Sequence, residues 1–238
     1  RYAANNLTLT LTGNYNWEWA VEQIEELCGS WNTADSPREL SAPEAKPNTR
    51  IERPRTEDGN DKFNRAHIAL VAPGYAAQDI RRYAAAVACE VIGAGEGSRL
   101  YWALVHPGVA EAAQIDHDAN DGAGAYYGYL LADPARAGEA LDVLRREIAK
   151  ACSEGLSPEE VERAKRRLAS ATVLGAETPM GRLRAVGNDW VYRRETKSAD
   201  DSLKLLLDVT PDAVNAVLRD QPFERASVVA LGPLDSLN

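Results

Sequence analysis

Three histidines, His67, His106 and His117, are the residues best suited by type to hold a metal or move a proton. Their spacing supports neither role. No H-x-x-E-H, H-E-x-x-H or H-x-x-x-H occurs, so no two imidazoles share a helical face at ligand spacing. His117 lies between Asp116 and Asp118, but consecutive residues of a strand point to opposite faces, so the three side chains do not converge. Cys28, Cys89 and Cys152 are far apart, odd in number and without a C-x-x-C pair, which argues against a zinc knuckle and against a disulfide framework. There is no G-x-S-x-G elbow for acyl transfer. Gly93, Gly95 and Gly97 form G-x-G-x-G after an apolar helix, not G-x-G-x-x-G after a strand, so a dinucleotide site is not expected. The carboxylate pairs Glu25-Glu26, Glu159-Glu160 and Asp200-Asp201 fall on helix faces or caps. Tyr126, Tyr127 and Tyr129 read as sheet packing with exposed rings, the alternative being the lining of a cleft. These residues predict no catalytic side chain and no metal ligand within the chain.

The bulk composition narrows the partners. The 238 residues carry 27 Lys and Arg against 36 Asp and Glu, a formal charge of -9. A nucleic-acid binder should show a basic stripe instead. Arg145-Arg146 and Lys165-Arg166-Arg167 sit among glutamates and read as solvated helix faces. No apolar run approaches the ~20 residues of a membrane span. The first residue is Arg1, in mid-pattern, so the chain is expected to be a piece of a longer protein. A bacterial cytoplasm and a periplasm are both compatible with it.

The elements that must position these residues follow from pattern. Leu7–Thr12 alternates and predicts a strand with one buried face. Trp17–Cys28 predicts a helix with Trp17, Val21, Ile24, Leu27 and Cys28 inward. A polar, proline-rich stretch over 35–47 reads as a linker. Arg50–Arg53 is a short strand, and Asp58-Gly59-Asn60-Asp61 a turn. His67–Ala72 is a strand closed by Pro73-Gly74. Helices are expected over Gln78–Ile92 and from Ser98 to Val105. Val109–Asp118 and Ala123–Ala132 form two extended runs joined at Asn120-Asp121-Gly122. Helices then start at Asp133-Pro134, at the capping box Ser157-Pro158-Glu159-Glu160, at Thr178-Pro179 and at Thr210-Pro211. Ala226–Gly232 is a final apolar strand. Strands and helices come in runs, which predicts an α+β fold with helices on one face of a mixed, mostly antiparallel sheet.

Five phrases in this order carry a family resemblance. They are Tyr2-Ala3-Ala4-Asn5-Asn6-Leu7-Thr8-Leu9-Thr10-Leu11-Thr12-Gly13-Asn14, Ala66-His67-Ile68-Ala69-Leu70, Gly93 to Leu104, Leu156 to Lys165, and Val228-Val229-Ala230-Leu231-Gly232-Pro233. Together they resemble the insulinase/pitrilysin/mitochondrial-processing-peptidase family of zinc metallopeptidases, the inverted zincins, over nearly the whole chain.

The resemblance implies a processing-peptidase-like domain in the C-terminal half of a subunit. Residues 1–34 would be the final strand and helix of the preceding domain, 35–47 a linker, and 48–238 the C-terminal domain. Zinc would be held by the N-terminal half of the parent protein, so this chain alone is expected to be inactive. Its work would be to form a chamber wall and bind peptide or protein substrate, partnered by the N-terminal peptidase domain or a partner subunit. A second copy of the chain is a further expected partner. The alternative is a non-catalytic partner or scaffold subunit. Active relatives present an Arg and a Tyr after the glycine-rich helix. Aligned on Gly108, Pro107 and Glu111 stand at those places, and neither can stabilise an oxyanion. His106, Glu111 and Arg99 are the expected substrate-binding residues.

Overall fold

The structure is a computed structural model that describes residues 3–35, 46–220 and 222–237. After a single 3-10 turn at Ala4–Asn6, its regular elements are α1 (Trp17–Cys28), β1 (Thr49–Glu52), β2 (Ala66–Gly74), α2 (Arg82–Gly93), β3 (Ala112–Asn120), β4 (Ala123–Ala132), α3 (Ala137–Glu154), α4 (Pro158–Glu177), α5 (Pro179–Arg193), α6 (Ala199–Leu207), α7 (Pro211–Arg219) and β5 (Ser227–Leu231). The strands form one five-stranded sheet in the order β1-β5-β2-β4-β3. Only β1 and β5 run parallel; the other neighbours are antiparallel. This is the α+β architecture that the pattern of runs predicts.

Period-two alternation divides the sheet into two faces. Ile68, Leu70 and Ala72 of β2, Tyr126 and Leu130 of β4, Ile115 of β3 and Val228 and Ala230 of β5 are buried on one face. There α2 packs on β3, α3 packs on β4 and β2, and α4 and α7 pack on α2. Val87, Ile92, Leu141, Leu144, Val161 and Leu218 complete the core from the helices.

The helix starts follow from side-chain chemistry. Ser157 accepts from the Glu160 amide while Glu160 accepts from the Ser157 amide, a reciprocal box that satisfies two otherwise orphaned donors. Thr178 and Thr210 cap α5 and α7, each with proline at the first turn. The hairpin loop is Asp121-Gly122, since Asn120 pairs with Ala123. Gly122 has φ 69°, and Gln78 bonds both loop residues.

Several expectations are corrected. Leu7–Thr12 has no regular structure and no strand partner among the described residues, and Leu7, Leu9 and Leu11 are exposed. Alternation supplies a strand's face; only a hydrogen-bonded neighbour makes it a strand. The predicted inward side of α1 is largely open: Trp17 and Leu27 are exposed, and only Ala20 is buried. Strand β2 runs through Pro73-Gly74 instead of stopping there. Proline fits because β5 pairs only with His67–Val71, so at Pro73 that side of β2 has no partner needing an N–H. Helix α2 starts at Arg82, and Gln78 serves the hairpin. The helix after Ser98 is an α-turn that widens into a π-turn over Tyr101–Val105. Strand β3 starts at Ala112 and continues to Asn120, leaving Val109 and Glu111 outside it. Helix α6 was not anticipated, although Ser198 and Asp201 form its capping box. The proline-rich linker falls mostly outside the described residues, as does Tyr2.

Candidate functional site

The face of the sheet away from the helices has no partner among the described residues. Its rows follow from register. One runs Arg50, Val229, Ala69, Tyr129, Gln114 across the five strands, and the next runs Ser227, Val71, Tyr127, Asp116. Val71 is 41% exposed, and Tyr127 and Val229 are each 43% exposed. Tyr126, one residue from Tyr127, is 2% exposed on the other face. Strand parity thus separates the three tyrosines: Tyr126 is core, and Tyr127 and Tyr129 line the open face.

Charged groups on this face lie on its two outer strands, with Arg50 and Glu52 on β1 and Asp116 and Asp118 on β3. The Tyr129 hydroxyl and His67 Nδ1 are hydrogen-bonded at 2.8 Å, a diagonal contact between β4 and β2. Phe63 meets the His67 ring edge-on at 5.8 Å between centroids. At one side of the face, β3 is an edge strand, paired among the described residues only with β4. Its outward residues are Gln114, Asp116 and Asp118, all exposed. An edge strand with unpaired backbone groups is a template for an added extended chain.

His117 points to the covered side and joins that edge to the core. Its Nε2 accepts the Tyr75 amide hydrogen at 2.9 Å, which requires an unprotonated Nε2. Burial holds its pKa below the ordinary histidine value, against the pull of Asp116 and Asp118. The Tyr75 hydroxyl donates to Asp220 at 2.8 Å, and burial followed by that bond pushes its pKa up to about 12.

The residues named from sequence do not form one cluster. Arg99 makes two 2.8 Å bonds to the Glu160 carboxylate and a 3.2 Å bond to the Gly155 carbonyl. It ties the glycine-rich turn to the cap of α4, and the Arg99 bond holds the Glu160 pKa below the usual range. Arg167 fastens the same turn through the carbonyls of Ala94 and Glu96. His106 is exposed, with its ring 4.9 Å from that of Trp102. Its amide closes the π-turn on the Tyr101 carbonyl at 2.8 Å. Glu111 is exposed and paired with Arg65, just before β3. Sequence reading missed the His67–Tyr129 contact, although both residues lie at outward positions of predicted strands. It also missed Trp102, whose exposed ring follows from its place opposite buried Leu104.

Zinc would find no ligand set among the described residues. Among the described residues no three His, Cys, Asp or Glu side chains are grouped to hold a metal ion. His67 is bonded to Tyr129, His117 accepts from backbone and the His106 ring lies tilted against that of Trp102. Among the described residues no helix is long and apolar enough to cross a membrane.

The family model described as the peptidase M16 inactive domain matches residues 1–168. The chain belongs to the peptidase M16 family. An uncharacterized zinc protease of Streptomyces coelicolor is 29% identical over 98% of the chain and 51% of its own length. The M16 chain described here thus spans about half the length of that curated relative. A solved protease from Helicobacter pylori superposes with TM-score 0.77 at 16% identity, over 93% of this chain and 54% of its own. The peptidase M16 inactive domain from Pseudomonas fluorescens gives TM-score 0.77 at 16% identity, over 94% and 52%. These two share the fold. In M16 proteins zinc belongs to the N-terminal half, and domains of the family pair with an N-terminal partner domain or subunit. The inactive domain is the non-catalytic half.

Proposed function

We propose that this M16 domain is the C-terminal, non-zinc-binding half of a zinc metallopeptidase subunit, and that the open face of its sheet is a chamber wall that holds peptide substrate. The observation that carries this reading is the uncovered apolar and aromatic surface of Val71, Tyr127, Tyr129 and Val229, bordered by the unpaired edge of β3. Exposed contiguous apolar surface of this kind marks a site of interaction. An extended peptide would add its backbone to β3 and rest side chains on the tyrosines. His106 and Glu111 lie before the start of β3 and would contact substrate from there, while Arg99 would hold the turn that carries them. The partner is the N-terminal peptidase half, to which residues 1–34 would belong, with 48–238 forming the C-terminal domain. A second copy of the chain is a further proposed partner.

The alternative, a non-catalytic scaffold subunit, is favoured by one observation: Glu111, standing where a tyrosine is expected in active relatives, is already paired with Arg65.

The test is photo-crosslinking in the assembled parent protein. A benzophenone side chain placed at Tyr127 should capture a bound peptide, and one placed at exposed Arg163 on α4 should not. Peptide hydrolysis by the parent with no capture from either Tyr127 or Tyr129 would overturn the chamber-wall reading. Capture without hydrolysis, in a parent lacking H-x-x-E-H, would support the scaffold.

A further inference from the structure

A pocket of about 440 Å³ lies on the helix side of the sheet, away from the open face. Leu70 and Val228 line its sheet side, Ile148 and Cys152 of α3 one flank, and Phe223 the other. Its size falls within the roughly 300–1,000 Å³ of small-molecule sites, which combine an apolar lining with a few polar groups. The charged groups here are Arg145 and Glu224, beside Ser153, whose hydroxyl donates to the Lys150 carbonyl. Both are exposed. Neither makes an ion pair among the described residues, with each other or with any third group. Two opposite charges on one pocket, left unpaired, suit a ligand that carries both.

We propose that this pocket binds a free apolar amino acid or short dipeptide as its zwitterion, with the carboxylate on Arg145, the ammonium on Glu224 and the side chains against Leu70, Ile148 and Phe223. A guanidinium fork matches a carboxylate in two parallel bonds, and a carboxylate accepts from an ammonium. A fatty acid would satisfy Arg145 but set its charge against Glu224. A neutral hydrocarbon would use neither charge. The Cys152 thiol marks the pocket wall. Its pKa is raised by burial and then by Glu224, so it reacts slowly but measurably with alkylating reagents.

The experiment uses this chain and the dipeptide leucyl-phenylalanine, by calorimetry and by alkylation of Cys152 located by peptide mass mapping. Saturable binding that protects Cys152, and weakens about fivefold when the dipeptide is N-acetylated or C-amidated, supports the proposal; that is the effect one exposed ion pair sustains. Arg145→Gln should remove the penalty for amidation, and Glu224→Gln the penalty for acetylation. Both side chains are exposed, so both variants should keep the wild-type circular dichroism. No saturable binding, binding that leaves Cys152 unprotected, or equal affinity for all three peptides would overturn it. The open face takes no part in this experiment, so its failure leaves the chamber-wall proposal standing.

Discussion

On the helix-covered face of the sheet, Ile68, Leu70, Ile115, Tyr126 and Leu130 are between 1% and 4% exposed; on the opposite face Val71, Tyr127 and Val229 are between 41% and 43% exposed. On β2 and β4 the two sets are chain neighbours, Leu70 beside Val71 and Tyr126 beside Tyr127. The covered face has its partner within the chain, in α2 and α3. The open face mixes apolar rings and branched side chains with polar groups such as Arg50, Gln114 and Asp116, and has no partner among the described residues. Burial on the first face stabilises the domain at roughly 25 cal/mol per Å² of apolar surface. The second face contributes little to folding while its rings stay wet, which is the economy expected of a surface kept for another molecule.

The sharpest way to break this comparison is the adjacent pair in β4. Tyr126→Ala should lower unfolding free energy by about 3–5 kcal/mol, the cost of a large buried aromatic. Tyr127→Ala should cost within about 0.5 kcal/mol, as for a surface change. Urea denaturation of both variants reads the difference directly. Similar losses at the two positions would mean that the open face is part of the fold's own core.

A second test asks whether the covered side depends on the clamp at its glycine-rich turn. Arg99→Ala removes a bidentate charged contact and frees the Glu160 carboxylate, with both side chains 21% exposed. A loss of about 1–3 kcal/mol is expected. Arg99→Lys should recover only part of it, because an ammonium cannot reproduce the fork geometry. Full recovery by lysine would show that charge alone, not the paired bonds, holds the turn.

A smaller effect lies at the rim between the faces. His117 is held below its ordinary pKa, so the unfolded chain takes up its proton first as pH falls. Its contribution to stability is therefore complete above about pH 6.5, the unfolded value, and is lost as pH drops towards the folded one. Melting temperature should fall over that interval in the wild type. His117→Gln can still accept the Tyr75 amide and should show a shallower fall. An identical pH profile for the two proteins would exclude the histidine as the source. Smallest in stability and largest in binding, Tyr127→Ala combined with Tyr129→Phe should lower the melt only slightly, through loss of the His67 bond, while weakening peptide capture.

What could be read in the chain without its fold was local. Ser157, Thr178 and Thr210 announced helix starts because a cap is a hydrogen bond to an amide two or three residues away. Asp121-Gly122 announced the hairpin because a tight turn needs the φ that glycine tolerates. Alternation in β2 and β4 predicted two-faced strands, and their grouping predicted the α+β class. The Ser198–Asp201 box at the start of α6 is equally local, its two bonds closing within three residues. Tertiary structure alone decided which face of the sheet the helices cover and which stays open. It left Leu7–Thr12 without a ladder and exposed Trp17 and Leu27, because burial depends on neighbours distant in sequence. It also spent Arg99 on Glu160 and His117 on the Tyr75 amide, partners 61 and 42 residues away that no spacing rule connects. The zinc question divides the same way. The missing ligand motif is a property of the sequence. The commitment of each histidine to another contact is a property of the fold.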